Sequence, residues 1–350
     1  MKKKLFALLL ALGIFLCGCE VMTVPDIGTD PTFGPDAETL TVHYIDVGQA
    51  DCILLECSGQ YMLIDGGNRE DGQLVVSYLQ QQGVEELEAV VCTHAHEDHV
   101  GGLPSVLAVF PTKVVYAPTK TYSSKVFDNF VYYVDQQGLD ITIPAPGGGF
   151  TLGATTLDIL GPVKSYAETN DTSIVIMAEF GDHRFLFTGD METPAENDML
   201  DYWDGQYDWN VDVLKVGHHG SDTSSGYRFV YETDPEYAIV SVGEGNSYGH
   251  PNESVLNRYA DAGIPLFRTD ELGHIIVTSD GTNIAVTWED QTAQPSEYDS
   301  TPSTYIGNKN SKKLHTPDCG SLPSESNRVE FSSYQEAIDA GYVPCQSCLD

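Results

Sequence analysis

The run "LEAVVCTH" at 87–94 is apolar at nearly every position and then turns polar, the pattern of a buried strand that delivers side chains at its C-terminal end. Before it come "LTVHYIDVG", "DCILLEC" and "QYMLIDGG", short apolar runs closed by Gly, Asp or Ser, as in a β-meander. "GQLVVSYLQQQG" carries helical spacing and stops at Gly83, and "LPSVLAVF" starts a helix with Pro104 in its first turn. A second strand-rich group follows in "TLDILGP", "SIVIMAEFG", "HRFLFTGD", "DVLKVGHHG", "YAIVSVG", "PLFRTD", "GHIIVTSDG" and "NIAVTWE", with helical stretches near 192–201 and 252–262. Two strand-rich halves, each with outer helices, predict an α/β (α+β) sandwich whose site lies on strand ends.

Pattern also divides the chain. Residues 20–38 and 289–303 are rich in proline and acidic or small polar residues, with little apolar periodicity, and read as tethers. The expected plan is a signal segment over 1–18, a tether over 19–38, a main domain over 39–288, a linker over 289–303 and a small module over 304–350. "MKKKLFALLLALGIFLCGCE" has three lysines, a short apolar run and small residues, the order of a secretory signal. Its "LCGC" resembles a bacterial lipobox, which implies lipidation of Cys19, a membrane tether and an extracytoplasmic location.

Composition changes the picture at one point. The formal charge of −35 and pI near 4.3 make a surface that repels polyanions, which argues against tight nonspecific nucleic-acid binding through a basic face. An anionic substrate would need bound cations. Cys52, Cys57 and Cys92 sit in strand-like runs as small buried hydrophobes.

Chemistry concentrates in "THAHEDHVGG". His94 and His96, two apart in an extended stretch, can grip one cation; Asp98 and His99, after the chain turns, can face a second. Imidazole and carboxylate donors suit zinc, and also iron or manganese. Gly101 and Gly102 let the following backbone pass close behind. Further on, "KVGHHGSD" is expected to present His218 and His219 on opposite sides of an extended segment. Lys215 is a lone cation suited to steady a phosphate oxygen or to snorkel outward. Ser221, Thr223 and Ser224 offer donors for phosphate oxygens or form a polar loop, and His43, His183 and His274 read as structural.

H-x-H-x-D-H followed by glycine resembles the signature of the metallo-β-lactamase fold superfamily, which implies a four-layer αββα sandwich with a dinuclear site at the sheet edges. "VHYIDVGQADCILLE", "YMLIDGGN", "FLFTGD", "DVLKVGHHGSDTSS" and "YGHP" are similar to the hydrolase domain of bacterial DNA-internalisation competence proteins, with Ala50 where glycine is usual. The resemblance implies that Asp190 bridges both metals and that His218 and His250 lie near them. Where many members place a third histidine, this chain has Thr169, Asn170 and Asp171. The implied chemistry is hydrolysis of a phosphodiester, with DNA as the expected substrate. Two divalent ions (Zn or Mn) would ionise water, Asp98 would orient or take its proton, Lys215 would neutralise charge on oxygen, and His219 would protonate the leaving oxygen. A lactonase or β-lactamase-like hydrolase is one alternative; a surface lipoprotein that binds DNA or another polymer without catalysis is another.

In the module, His315, Cys319, Cys345 and Cys348 form a four-ligand set without an open position, fit for a structural zinc. So short a segment needs such a clip, although disulfide pairing is a rival. "YIGNKNSKKLH" with the later cysteines resembles the zinc-binding domain of Ada-type DNA repair proteins, with His315 in place of one sulfur. Lys309, Lys312, Lys313 and Arg328 form a basic cluster there, either a dock for polyanions or a solvated surface.

Overall fold

Period-two alternation assigns each strand residue to a layer. In a computed structural model, which describes residues 33–34, 37–296, 298 and 304–349, Ile53, Leu55, Met62, Ile64, Ala89 and Val91 all enter one core. Their neighbours Leu54, Leu63 and Val90 enter another on the opposite face. The signal segment, most of the 19–38 tether with Cys19, and part of the 289–303 linker lie outside the described residues. Among the described residues, no helix is long and apolar enough to cross a membrane.

The first sheet has eight strands, in the order Ile284–Trp288, Ile275–Ser279, Leu40–Tyr44, Ile53–Cys57, Gln60–Ile64, Leu87–Val91, Thr112–Tyr116 and Ile141–Thr142. The second has seven: Leu266–Arg268, Tyr237–Val240, Val213–Lys215, His183–Phe187, Val175–Phe180, Thr155–Gly161 and Gly149–Leu152. Their facing surfaces share one core, in which Tyr44, Met62 and Val91 are buried together with Ile176, Phe187, Val213 and Phe267. Helices Gly72–Gln81, Leu103–Val109 and Lys125–Gln136 cover the outer face of the first sheet through Val75, Leu107, Phe127 and Phe130. Thr193–Tyr202, Tyr227–Thr233 and Glu253–Asp261 cover the second through Met199, Phe229 and Tyr259. The layers are therefore αββα, and Cys52, Cys57 and Cys92 are buried within them.

The halves are not sequential. The hairpin of Ile275–Ser279 and Ile284–Trp288 returns to the first sheet, where Leu40 pairs with Ser279 and Tyr44 with Ile275. Pairing across more than 230 positions leaves no local trace in the pattern. The helix Lys125–Gln136, capped by Ser124 accepting from Phe127 N, adds a third cover to the first sheet.

The module folds as a separate four-stranded sheet, in the order Arg328–Phe331, Tyr305–Asn308, Lys313–His315 and Val343–Pro344, with one helix, Tyr334–Asp339. Its core is a small cluster of seven buried apolar residues, Tyr305, Leu314, Phe331, Tyr334, Ala337, Tyr342 and Leu349. It seats on Tyr227–Thr233: Tyr334 stacks on Tyr227 at 5.5 Å, and Tyr305 Oη donates to Asp261 at 3.2 Å.

Candidate metal centre and its cleft

Five chain segments converge at one sheet edge. The strand Leu87–Val91 ends just before His94, and His96 precedes the short helix Glu97–Val100, which carries Asp98 and His99. Glycine packing sets that helix against the loop after Gln60–Ile64: a Cβ on Gly102 would stand 1.9 Å from the Gly66 carbonyl oxygen, and one on Gly101 2.4 Å from Arg69 N. Close approach lets Gly66 N donate to the His99 carbonyl at 2.8 Å and brings Asp65 Oδ2 to 2.8 Å from His99 Nδ1.

Asp190 is the meeting point. Its Oδ2 lies 3.2 Å from His99 Nε2, 3.6 Å from His219 Nε2, and 3.8 Å from both His94 Nε2 and His218 Nε2. Asp98 Oδ2 stands 3.4 Å from His219 Nε2 and 3.9 Å from His99 Nε2. His94 Nε2 and His96 Nδ1 are 3.1 Å apart. In Asp98, His99, Asp190 and His219, one ligand atom from each lies within 4.8 Å of the others.

His218 and His219 are not on an extended segment. Between Gly217 and Gly220 their φ angles are 47° and 53°, the left-handed region that non-glycine residues seldom adopt. That turn brings both imidazoles to Asp190 instead of separating them. His219 is fully buried, and its Nδ1 donates to the Ser241 carbonyl at 2.9 Å, which aims Nε2 at Asp98 and Asp190. It has the posture of a ligand, not of a proton donor to a leaving group. His250 lies one ring further out, 5.5 Å from His218 between centroids and 3.5 Å from Gln49 Nε2.

The electrostatics follow from burial among opposed charges. Burial works to lower His219, but Asp190 and Asp51 outweigh it and push the group up to about 10. His99 is likewise opposed by burial and held well above its usual value by Asp190, Asp65 and Asp98. Burial would raise Asp98 and Asp190, yet His99 and His219 hold both carboxyls below the usual carboxylate range. Positive charge is thus favoured at this point. His99 Nε2, His219 Nε2, Asp190 Oδ1 and Asn170 Oδ1 are buried without a hydrogen-bond partner.

Orphaned donors around shared carboxylates fit divalent ions. Asp98, His99, Asp190 and His219 would hold one. His94, His96 and Asp190 would hold another, with His218 and the Asn170 amide oxygen beside them. Asn170 lines the cleft, and its Nδ2 lies 3.5 Å from His218 Nδ1. Thr169 precedes that short turn, and Asp171 accepts from Glu192 N; neither lines the cleft.

Two expectations are corrected by burial and contact. Lys215 is fully buried and does not reach the cleft: its Nζ lies 2.5 Å from Asp51 Oδ2 and donates to the Gly189 carbonyl at 3.2 Å. It stabilises Asp51, which in turn stands 3.4 Å from His219 Nδ1. Ser221, Thr223 and Ser224 do not line the cleft: Ser224 Oγ donates to the Met191 carbonyl, Ser221 bonds Thr223, and Thr223 donates to Glu192. They shape the loop. Asp51 and Asp65, which orient His219 and His99, were missed by residue-level reading, although both stand inside the quoted motifs "VGQAD" and "YMLIDGGN". Ala50 is buried there without left-handed backbone, so alanine replaces the usual glycine at no conformational cost.

His43 bonds Tyr78 Oη, His183 bonds Ser279 Oγ, and His274 Nδ1 accepts from Asp46 N, all away from the metal-binding residues. Over the ligands opens a cleft of about 1000 Å³, walled by Asp46, Glu70, Asp71, Glu97 and Glu244 together with Asn68, Leu74 and Tyr248.

In the module, His315, Cys319, Cys345 and Cys348 bring one ligand atom each within 4.8 Å of the others, as a structural zinc requires. The basic residues there also make local contacts. Lys309 donates to Ser326 O, Lys313 to Pro344 O and Arg328 to Pro323 O, while Lys312 lies over the Tyr342 ring at 4.3 Å.

Residues 45–244 match the metallo-beta-lactamase superfamily, and residues 288–350 match the metal binding domain of Ada. The chain belongs to the metallo-beta-lactamase superfamily and is a metal-dependent hydrolase of that fold with an Ada-type metal-binding module. It is related to competence proteins. ComE operon protein 3 of Bacillus subtilis is 29% identical over 253 residues, covering 67% of this chain and 32% of that protein. Competence protein ComA of Neisseria gonorrhoeae is 31% identical over 235 residues, covering 65% and 30%. The chain thus spans about a third of the length of these relatives. A solved metallo-beta-lactamase fold protein, YhfI of Bacillus subtilis, aligns over 69% of this chain and 100% of its own, with 13% identity and a TM-score of 0.48.

Proposed function

We propose that the protein is a surface-tethered phosphodiesterase that cleaves DNA. The observation that carries this is the charge of the cleft. Its lining holds no lysine or arginine among the described residues, so bound divalent ions are its source of positive charge and favour an anionic centre presented to them. The kinship with competence proteins supports DNA as the source of that centre.

Two divalent ions, when bound, would supply Lewis acidity and ionise water at neutral pH. The chain's own groups do the rest. Asp190 fixes the spacing of the ligand set. Asp98, whose side chain is 32% exposed, reaches the cleft and can orient water or take its proton. Asp65 holds His99, and Ser241 with Asp51 holds His219, so that each Nε2 faces inward. Protonation of the leaving oxygen passes from His219 to His250, half-exposed at the rim. Tethering would run through Cys19, and radiolabelled palmitate incorporation lost in Cys19→Ala checks it.

The deciding assay is digestion of DNA with added zinc or manganese, beside chromogenic lactams and lactones. Cleavage of DNA that disappears in Asp190→Ala is the expected result. Turnover of a lactam or lactone without DNA cleavage under any divalent ion overturns the reading.

A further inference from the structure

The acidic walls pose a problem for a nucleic-acid substrate. Protein–DNA affinity ordinarily rests on lysine and arginine at phosphates, and duplex DNA carries the denser charge. Here Asp46, Glu70, Asp71, Glu97 and Glu244 face the cleft instead. Affinity must come from contacts that do not require a basic side chain, and stacking of unpaired bases on aromatic rings is one.

Such a surface is present. Tyr248 lines the cleft and is 72% exposed, the highest value among the exposed large hydrophobic side chains of the described residues. Its ring lies on His250 at 5.7 Å with planes 26° apart, and His250 in turn lies 5.5 Å from His218, whose Nε2 is 3.8 Å from Asp190. Three rings therefore lead from the metal-binding residues to the mouth of the cleft. The turn is held in place: Asn246 Oδ1 accepts from both Tyr248 N and His250 N at 3.1 Å, and its Nδ2 donates to the Gly243 carbonyl at 3.0 Å. A large apolar ring held exposed on a braced turn loses little conformational freedom when a flat partner covers it. On the other wall Leu74, 43% exposed, adds a second apolar contact.

We propose that Tyr248, backed by His250, is a stacking platform for one unpaired base, and that the substrate is a single strand whose neighbouring phosphodiester lies at Asp190. The proposal rests on the nuclease reading above. Duplex DNA hides its bases and brings twice the charge into an acidic cleft, so it is disfavoured on both counts.

The test compares the full chain and its Tyr248→Ala and Tyr248→Trp variants on three substrates of equal length: a single-stranded oligonucleotide, the duplex, and a single strand carrying abasic sites. Wild type is expected to prefer the base-bearing strand over the abasic one by roughly tenfold in kcat/KM, the worth of one stacked base. Tyr248→Ala should erase that preference through KM, and Tyr248→Trp should keep it. Equal preference in wild type and Tyr248→Ala, with DNA still cleaved, overturns the platform and leaves the nuclease standing. Preference for duplex by the wild type also overturns it. No DNA cleavage by wild type overturns the nuclease reading itself.

Discussion

The two metal-binding regions of this chain reach the same kind of cluster by opposite routes. Around Asp190, candidate ligands come from residues 94 to 219, and two of them are held by groups behind them: Asp65 on His99, and Ser241 and Asp51 on His219, with Lys215 on Asp51. Two sheets and six covering helices build that scaffold from apolar burial. In the module, His315, Cys319, Cys345 and Cys348 span only 34 positions and are backed by seven buried apolar residues. In the first region the fold organises the metals. In the second, so small a core is expected to gain much of its stability from a bound metal.

The comparison is broken most severely at Asp190. Asp190→Ala is expected to cut hydrolysis by at least about a thousandfold, the scale on which loss of an essential catalytic group is felt, while thermal unfolding of the main domain changes little. Metal analysis of the purified variant, together with a melting curve, checks both halves. A large fall in Tm would show that metals also organise this region.

Lys215 probes the layer behind the ligands. Lys215→Met leaves Asp51 charged and buried, which costs about 3–5 kcal/mol, whereas the double variant Asp51→Asn with Lys215→Met recovers most of that stability. Denaturant unfolding measures the difference. The double variant should still bind the catalytic metals less tightly than wild type, because His219 has lost its orienting carboxylate.

Cys345→Ser sharpens the contrast from the other side. It should release one metal per chain and expose 304–349 to limited proteolysis, with hydrolysis retained within about threefold and the main-domain Tm unchanged. Collapse of hydrolysis would mean that the contact of Tyr227 with Tyr334 transmits the module's order into the His218–His219 loop.

The mildest expected effect lies at the joint between the regions. Glu196 is buried and accepts from Ser225 N and Gly226 N, where the metal-site loop leads into Tyr227–Thr233. Burial pushes its carboxyl up to about 7, against those two donors and Arg258. The folded chain then holds this proton more tightly than the unfolded chain. Its stabilising contribution is full below the ordinary glutamate value of about 4.5 and is lost as pH rises through about 7. Tm of wild type should therefore decline more between pH 5 and 8 than Tm of Glu196→Gln, and parallel declines would contradict it.

Much of this was legible along the chain. His94, His96, Asp98 and His99 are close enough in sequence that any turn after a strand brings them together, and Asp190 closes an apolar run in the same manner. Apolar strands alternating with helical periods gave two strand-rich halves with outer helices, and the resemblance of the histidine motif implied the four layers. What was not legible required partners distant in sequence. Lys215 reads as a free cation until Asp51, 164 positions earlier, is found 2.5 Å away. His218 and His219 read as opposed until their left-handed backbone turns both rings to one carboxylate.

By itself the sequence determined that His94, His96, Asp98 and His99 arrive together after a buried strand, and that His315, Cys319, Cys345 and Cys348 form a candidate metal set in a short terminal segment. Those are consequences of spacing and periodicity, which act over a few residues. Only the tertiary structure decided that Lys215 is buried against Asp51, that His218 and His219 both turn toward Asp190, that Asn170 lines the cleft beside His218, and that the last hairpin returns to the first sheet. Each depends on burial and pairing between segments far apart in the chain, where the energy is set by what lies opposite and not by what lies next.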